Sequence, residues 1–112
     1  MNLRNKNILV TGVGKGLGKS MVEYFLKAGA NVYAVTRSKS DINKFNKNPK
    51  LKLYLGDVRN IKIIKKILKQ SVKDKRIING LVNNAGIRQR LEFNKISSKD
   101  IKHIFDINFF SV

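Results

Sequence analysis

The sequence contains no cysteine. Disulfide scaffolds, thiol nucleophiles and cysteine-ligated zinc sites are thereby excluded, and the composition suits a reducing cytosol, so a cytoplasmic protein is expected. It has one proline and one histidine, and acids are scarce: 7 Asp+Glu stand against 24 Lys+Arg, a formal net charge of +17 on 112 residues. No apolar run reaches the length of a membrane span, so no membrane partner is expected. Met1-Asn2-Leu3-Arg4 leads into a short strand-like run rather than the apolar core of a secretory signal. Linkers, internal repeats and low-complexity inserts are also lacking.

What is present suffices for one folded domain. Hydrophobic residues make up 42% of the chain, which excludes intrinsic disorder despite the charge. A chain of this size buries roughly two thirds of its unfolded surface. Lys, Asn and Ile together fill 44 positions; their codons are AT-rich, and compositional drift produces such an excess without selection for charge. A domain this basic attracts polyanions at low salt. The lysines are nevertheless scattered, with no aromatic-interleaved basic stripe, so no specific nucleic-acid partner is expected.

Strand-like and helix-like stretches alternate along the chain. Asn7–Thr11 (NILVT) reads as a first strand, followed by glycines at 12, 14, 16 and 18. Leu17, Met21, Phe25 and Ala28 then recur at helical spacing, with Gly29 placed as a C-terminal cap. Asn31–Thr36 is a second strand, residues 38–47 hold a short helix closed by Pro49, and Leu51–Leu55 is a third strand. Asn60 is placed to cap a helix whose face carries Ile64, Ile67, Leu68 and Val72. Ile78–Asn83 is the fourth strand, closed by Gly86. Ser97 or Ser98 opens a last helix bearing Ile101, Ile104, Phe105 and Phe109 on one side. This alternation predicts an α/β fold, a doubly wound, Rossmann-like parallel sheet with helices on both faces. Phe109-Phe110-Ser111-Val112 stops inside an apolar helical pattern, and the fourth strand would lack an outer neighbour. The expectation is the front part of a longer, truncated fold.

The loop TGVGKGLGKS, residues 11–20, joins the first strand to the first helix. Such a turn lets backbone N–H groups approach a phosphate at the positive end of the helix dipole. Gly12 would make the tight turn, Gly16 would let the chain pass a pyrophosphate, and Gly18 would let helix and strand pack closely. Gly18-Lys19-Ser20 offers a rival, the end of a nucleoside-triphosphate P-loop. That motif requires a glycine at position 13, where Val13 stands; Gly12 comes one place early and Gly14 one late.

Thr11-Gly12-x-x-x-Gly16-x-Gly18 resembles the cofactor loop of the short-chain dehydrogenase/reductase family. Three further segments resemble it in order: Asp57-Val58 after the third strand, Asn83-Asn84-Ala85-Gly86 after the fourth, and Asp106-Ile107-Asn108 in the last helix. The resemblance covers essentially all 112 residues but only the front half of the family's domain. It implies strand order 3-2-1-4-5-6-7, of which this chain supplies strands 1 to 4, with residues 1–112 forming the NADP-binding part and the catalytic part absent. It also implies cofactor contacts at Gly12, Lys15, Gly16, Leu17, Gly18, Thr36, Arg37, Ser38, Asp57, Val58, Asn83, Ala85 and Gly86. Within that resemblance, Asp57 would accept from the adenine amino group with the Val58 backbone beside it; the alternative for Asp57 is an ordinary turn or cap.

Charge bears on the cofactor. An NAD-selective site places Asp or Glu at the end of the second strand, to accept from the ribose 2′-OH. Here stand Thr36, Arg37 and Ser38. Arg37 would pair with a 2′-phosphate, and Lys15 can reach the same group. AVTRS thus resembles the NADP(H)-preferring, carbonyl-reductase-like branch.

The family's chemistry uses a Tyr with a Lys four residues later, the Lys lowering the Tyr pKa. Four residues after Tyr24, Tyr33 and Tyr54 stand Ala28, Arg37 and Val58. No Tyr-x-x-x-Lys exists, and structural roles are expected for all three tyrosines. Of the family's catalytic set only Asn108 is present; His103 reads as solvated. No metal site is expected. The full-length enzyme would interconvert a small-molecule carbonyl and a secondary alcohol by hydride transfer and act as a homo-oligomer, while this chain alone would be inactive. The alternatives are a non-catalytic NADP-binding fragment, a P-loop nucleotidase and a basic nucleic-acid binder.

Overall fold

The short runs NILVT, NVYAVT and LKLYL alternate their side chains between two faces, so each can be buried on both sides only within a covered sheet. In the computed structural model they are β1 (Asn7–Thr11), β2 (Asn31–Thr36) and β3 (Leu51–Leu55), with the bounds read from the sequence. The structure describes residues 2–13, 16–57, 60–83 and 107–109. Its remaining elements are α1 (Gly16–Lys27), α2 (Lys39–Ile42), α3 (Ile61–Lys73), β4 (Gly80–Asn83) and β5 (Ile107–Phe109). The strands form one sheet in the order β3-β2-β1-β4-β5. The first four run parallel, in the order expected.

Two apolar clusters lie on opposite faces. Ile8, Val10, Val32, Ala34 and Val82 point to one face and meet Met21, Val22 and Phe25 of α1. Leu9, Tyr33 and Val35 point to the other and meet Ile67, with Ile63 and Ile64 of α3 packed alongside. The sheet is therefore covered on both sides, which is the doubly wound arrangement. Gly29 adopts φ +100° just beyond α1, where its N–H and that of Ala30 close onto Leu26 and Phe25 carbonyls at 3.1 and 3.0 Å. A side chain is disfavoured in that left-handed conformation, which accounts for the glycine. The Asn60 carboxamide accepts from the Lys62 N–H at 3.1 Å and caps α3 as its position predicts.

Three carboxamides lace the N-terminal edge of the sheet. Asn7 donates its backbone N–H to Asn79 Oδ1 at 2.8 Å and its side-chain amide to the Ile77 carbonyl at 3.0 Å. Asn31 Nδ2 donates to Asn7 Oδ1 at 2.9 Å. These bonds align β1, β2 and β4 at the end away from the glycine loop.

The polar stretch 38–47 holds a short helix as expected, the four-residue α2. Several other expectations are corrected. β4 begins at Gly80 rather than Ile78, because the Asn79 N–H is taken by the Asn7 carbonyl just outside the parallel ladder. Leu68 and Val72 do not share the buried face of α3: they are 44% and 62% exposed, while Ile67 and Ser71 are buried. The apolar arc of this helix is wider than the strip the sheet covers, and Ile67, not Leu68, projects over Tyr33 and Val35. Ile107–Phe109 was expected in a helix and is a strand, antiparallel to β4 with Asn108 opposite Leu81. Its pairing satisfies the outer N–H and C=O groups of β4, the edge expected to lack a neighbour. Positions 84–106, including Ser97, Ser98, Ile101, Ile104 and Phe105, lie outside the described residues.

Candidate cofactor site at the C-terminal ends of the strands

Parallel strands bring their C-terminal ends to one side of the sheet. Thr11 pairs in register with Val35 and with Asn83, and Thr36 with Leu55, so the segments following β1, β2, β3 and β4 share one edge. Backbone bonds draw these segments together. The Val13 N–H donates to the Val35 carbonyl at 3.1 Å, and the Gly56 N–H donates to the Thr36 carbonyl at 2.9 Å. The point where strand order reverses lies between β1 and β4, where ligands bind in open α/β sheets.

The glycine loop leaves β1 through Gly12, exposed and at φ +69°, and α1 opens at Gly16, exposed and at φ +53°. Both conformations favour glycine, and neither residue puts a Cβ between the backbone and a ligand. Gly18 is buried, as close packing of helix on strand requires. Lys19, the lysine of the P-loop alternative, pairs with Glu23 on the same helix at 2.7 Å. Lys15, Val58, Ala85 and Gly86 lie outside the described residues, as do the side chains of Leu17, Asn83 and Asn108.

At the end of β2, Thr36 is buried and Arg37 is exposed. Ser38 donates its N–H to Thr36 Oγ1 at 3.3 Å, and its hydroxyl shares a 2.8 Å hydrogen bond with that of Ser40. Positions 36–38 carry no carboxylate. The nearby acid is Asp41, whose side chain is 7% exposed and pairs with Lys44 Nζ at 2.9 Å. Its other oxygen accepts from Thr36 Oγ1 at 3.4 Å. Sequence reasoning missed Asp41, although Ser38-x-x-Asp41 has the spacing of a capping box. The Ser38 hydroxyl makes no cap bond; the Asp41 N–H closes instead onto the Ser38 carbonyl at 3.1 Å.

Asp57 is half-buried beside Gly56, and its carbonyl accepts from the Asn60 N–H at 2.8 Å, so it begins the turn into α3. The three tyrosines lie in the packed interior or on its margin. Tyr33 is buried, Tyr54 stacks on it with ring centroids 6.5 Å apart, and Tyr24 meets Phe25 edge-on. Burial pushes both the Tyr33 and Tyr54 hydroxyls above the ordinary phenol range. Neither is poised for proton transfer near neutral pH. Among the described residues no group of three metal-ligating side chains gathers. No helix among them is long and apolar enough to cross a membrane.

Comparison with known proteins agrees with this geometry. A family model described as short chain dehydrogenase matches residues 6–112. An uncharacterized oxidoreductase of Saccharomyces cerevisiae is 35% identical over 112 residues, covering 96% of this chain and 44% of its own length. The solved structure of ElxO with NADP bound superposes with a TM-score of 0.62 at 28% identity, covering 88% of this chain and 42% of that one. A short chain dehydrogenase from Leptospira borgpetersenii with bound NAD+ shares the fold at a TM-score of 0.65 and 23% identity, over 92% of this chain and 40% of that one. The chain thus spans less than half the length of the relatives it matches.

Proposed function

The chain belongs to the short chain dehydrogenase family, and on that footing we propose that it is the NADP(H)-binding part of an oxidoreductase that interconverts a carbonyl and a secondary alcohol. One observation carries the cofactor choice: Arg37 stands exposed at the end of β2 with no carboxylate at 36–38, while the next acid along the chain, Asp41, is buried against Lys44. A carboxylate there would accept from a ribose 2′-OH and repel a 2′-phosphate. A guanidinium pairs with the phosphate and can stack on the adenine.

The residues present fit such a cofactor. The exposed backbone at Gly12 and Gly16, at the opening of α1, suits a pyrophosphate, with Leu17 and Gly18 continuing the helix start. Arg37, Ser38 and Lys15 would meet the 2′-phosphate, with the Thr36 backbone beside them. Asp57 and Val58 would meet the adenine, and Asn83, Ala85 and Gly86 the nicotinamide-side ribose. The bound nicotinamide would supply or accept the hydride. The chain's own residues would orient it and hold water off the phosphates. Asn108, on the strand beside β4, belongs to the catalytic set by resemblance, but the sequence offers no Tyr-x-x-x-Lys. Binding without turnover is therefore expected of these 112 residues.

Fluorescence titration with NADPH and NADH tests this. NADPH is expected to bind at least tenfold tighter, a gap of about 1.4 kcal/mol. Arg37→Glu should abolish the gap. Equal affinities in the unaltered chain would refute the NADP(H) assignment, and carbonyl reduction by the chain would refute its inactivity.

A further inference from the structure

Asp41 is an unusual acid in this chain. It is one of only 7 carboxylates, it lies beside the expected phosphate position, and it is 5% exposed overall. A buried carboxylate is unfavourable unless paired and hydrogen-bonded. Two of its side-chain partners are Lys44 and Thr36. Lys44 Nζ holds Oδ1 at 2.9 Å, Oδ2 accepts the Thr36 hydroxyl at 3.4 Å, and Thr36 Oγ1 accepts the Ser38 N–H at 3.3 Å. The Asp41 N–H returns to the Ser38 carbonyl at 3.1 Å, and the Lys44 N–H to the Asp41 carbonyl at 3.2 Å. Thr36 is itself fixed to the sheet, since its carbonyl takes the Gly56 N–H at 2.9 Å. Arg37 thus sits at the apex of a corner whose two flanking residues are tied down, while its own side chain is exposed.

We propose that Asp41 is a positioning residue for cofactor selection: through Thr36 it holds the Thr36–Ser38 corner so that Arg37 is presented to a ribose 2′-phosphate. This rests on the NADP(H) assignment above. The Thr36 hydroxyl has one proton. Because Asp41 takes it, the hydroxyl oxygen is left to accept from Ser38, which fixes the backbone on the far side of Arg37. Lys44 has the complementary task. It neutralises Asp41, so that this carboxylate adds no net negative charge beside the phosphate. Pre-ordering a phosphate contact strengthens NADPH binding by removing the cost of ordering it on binding. NADH carries only a neutral 2′-hydroxyl at this corner, so its affinity depends little on the arrangement.

The test separates positioning from charge and from folding. The double variant Asp41→Leu/Lys44→Met removes both charges together and leaves the net charge unchanged. Thr36→Val removes only the linking hydroxyl and serves if the double variant does not fold, as judged by thermal melting. Both are titrated with NADPH and with NADH beside the unaltered chain. The expected result is a fivefold or greater loss of NADPH affinity with less than a twofold change for NADH. Lys44→Met alone should also weaken NADPH selectively, because Asp41 then loses the Lys44 charge and adds negative charge beside the phosphate. If the unaltered chain prefers NADPH but the variants keep that preference, or lose both cofactors equally, the positioning role is overturned and the NADP(H) assignment stands. If the unaltered chain shows no preference, both fall together.

Discussion

Tyr33 donates its hydroxyl to Asp74 Oδ2 across 2.7 Å, joining the middle of β2 to the residue that ends α3. Lys52 of β3 reaches the same oxygen at 2.6 Å, and Gln70 donates to Oδ1 at 2.9 Å. Two strands and a helix thus converge on one carboxylate at the face opposite α1.

That convergence fixes a pH dependence. Lys52 above all, then Tyr33 and Gln70, holds the Asp74 carboxyl well below the usual carboxylate range. A depressed folded-state pKa adds stability above the unfolded value of about 3.9, and that stability is lost as pH falls through the folded value. Tyr33 is the reverse case: burial first, then the bond to Asp74, raises its pKa. Its share is present below the phenol value of about 10 and is lost as pH climbs beyond it. Asp74→Asn should therefore be less stable than the parent chain at pH 7, with the deficit shrinking below about pH 4 as the unfolded parent's carboxylate takes up a proton that the folded one does not. Urea melts at the two pH values measure this. A deficit of equal size at both would show that the carboxylate's charge contributes nothing.

The two long helices end in the same hydrogen-bond pattern but with different residues. After α3, the Lys75 N–H closes onto the Val72 carbonyl at 3.0 Å and the Arg76 N–H onto the Ser71 carbonyl at 2.8 Å. Lys75 takes φ +58°, the position that Gly29 fills after α1. A left-handed lysine costs about 1–2 kcal/mol. Lys75→Gly relieves that cost but gains unfolded-state entropy of about 0.5–1 kcal/mol, so a net stabilisation of about 0.5–1 kcal/mol is expected. Thermal unfolding should show a midpoint raised by a few degrees; a lowered midpoint would mean that the lysine side chain stabilises this turn.

Gly56 is required by contact rather than by conformation. A Cβ there would stand 2.9 Å from Ile63 Cγ1 and 3.3 Å from Ile63 Cβ, atoms at the root of the side chain rather than at its far end. Gly56→Ala should cost about 1–3 kcal/mol and weaken cofactor binding, because Gly56 connects Thr36 to Asp57. Ile63→Ala removes most of the obstruction, so the double variant should be less destabilised than the sum of the singles. Strict additivity in denaturant melts would sink this account.

Much of the scaffold was legible because its signals are local. NILVT, NVYAVT and LKLYL are short, mostly apolar runs of strand length, and β1, β2 and β3 have those bounds. Gly29 and Asn60 act within one turn of themselves, and both were read as caps. What escaped depends on distance. Leu68 and Val72 fit the helical period as well as Ile67 does, and only the position of the sheet decides which is covered. Ile107–Phe109 suits a helix or a strand equally, and the exposed edge of β4 settles it. At the site, Gly12, Gly16, Thr36 and Arg37 reach the expected edge because strand order alone places them there. Asp41 and Asp74 were invisible as hubs, since an acid does not reveal its partners; Tyr33 lies 41 positions from Asp74.

The carboxamide lacing at the N-terminal edge also governs how the molecule ages. Asn79 is followed by Gly80, the pairing in which a backbone nitrogen most readily attacks the side-chain carbonyl carbon, expelling ammonia and closing a succinimide. Here that carbonyl oxygen is pinned to the Asn7 N–H at 2.8 Å, Asn79 is 8% exposed, and Gly80 is held in register with Ile8. Ring closure needs a backbone geometry that the intact sheet withholds. Deamidation at Asn79 is therefore a clock that advances only while β4 is parted from β1, and the age written into this peptide bond counts those partings.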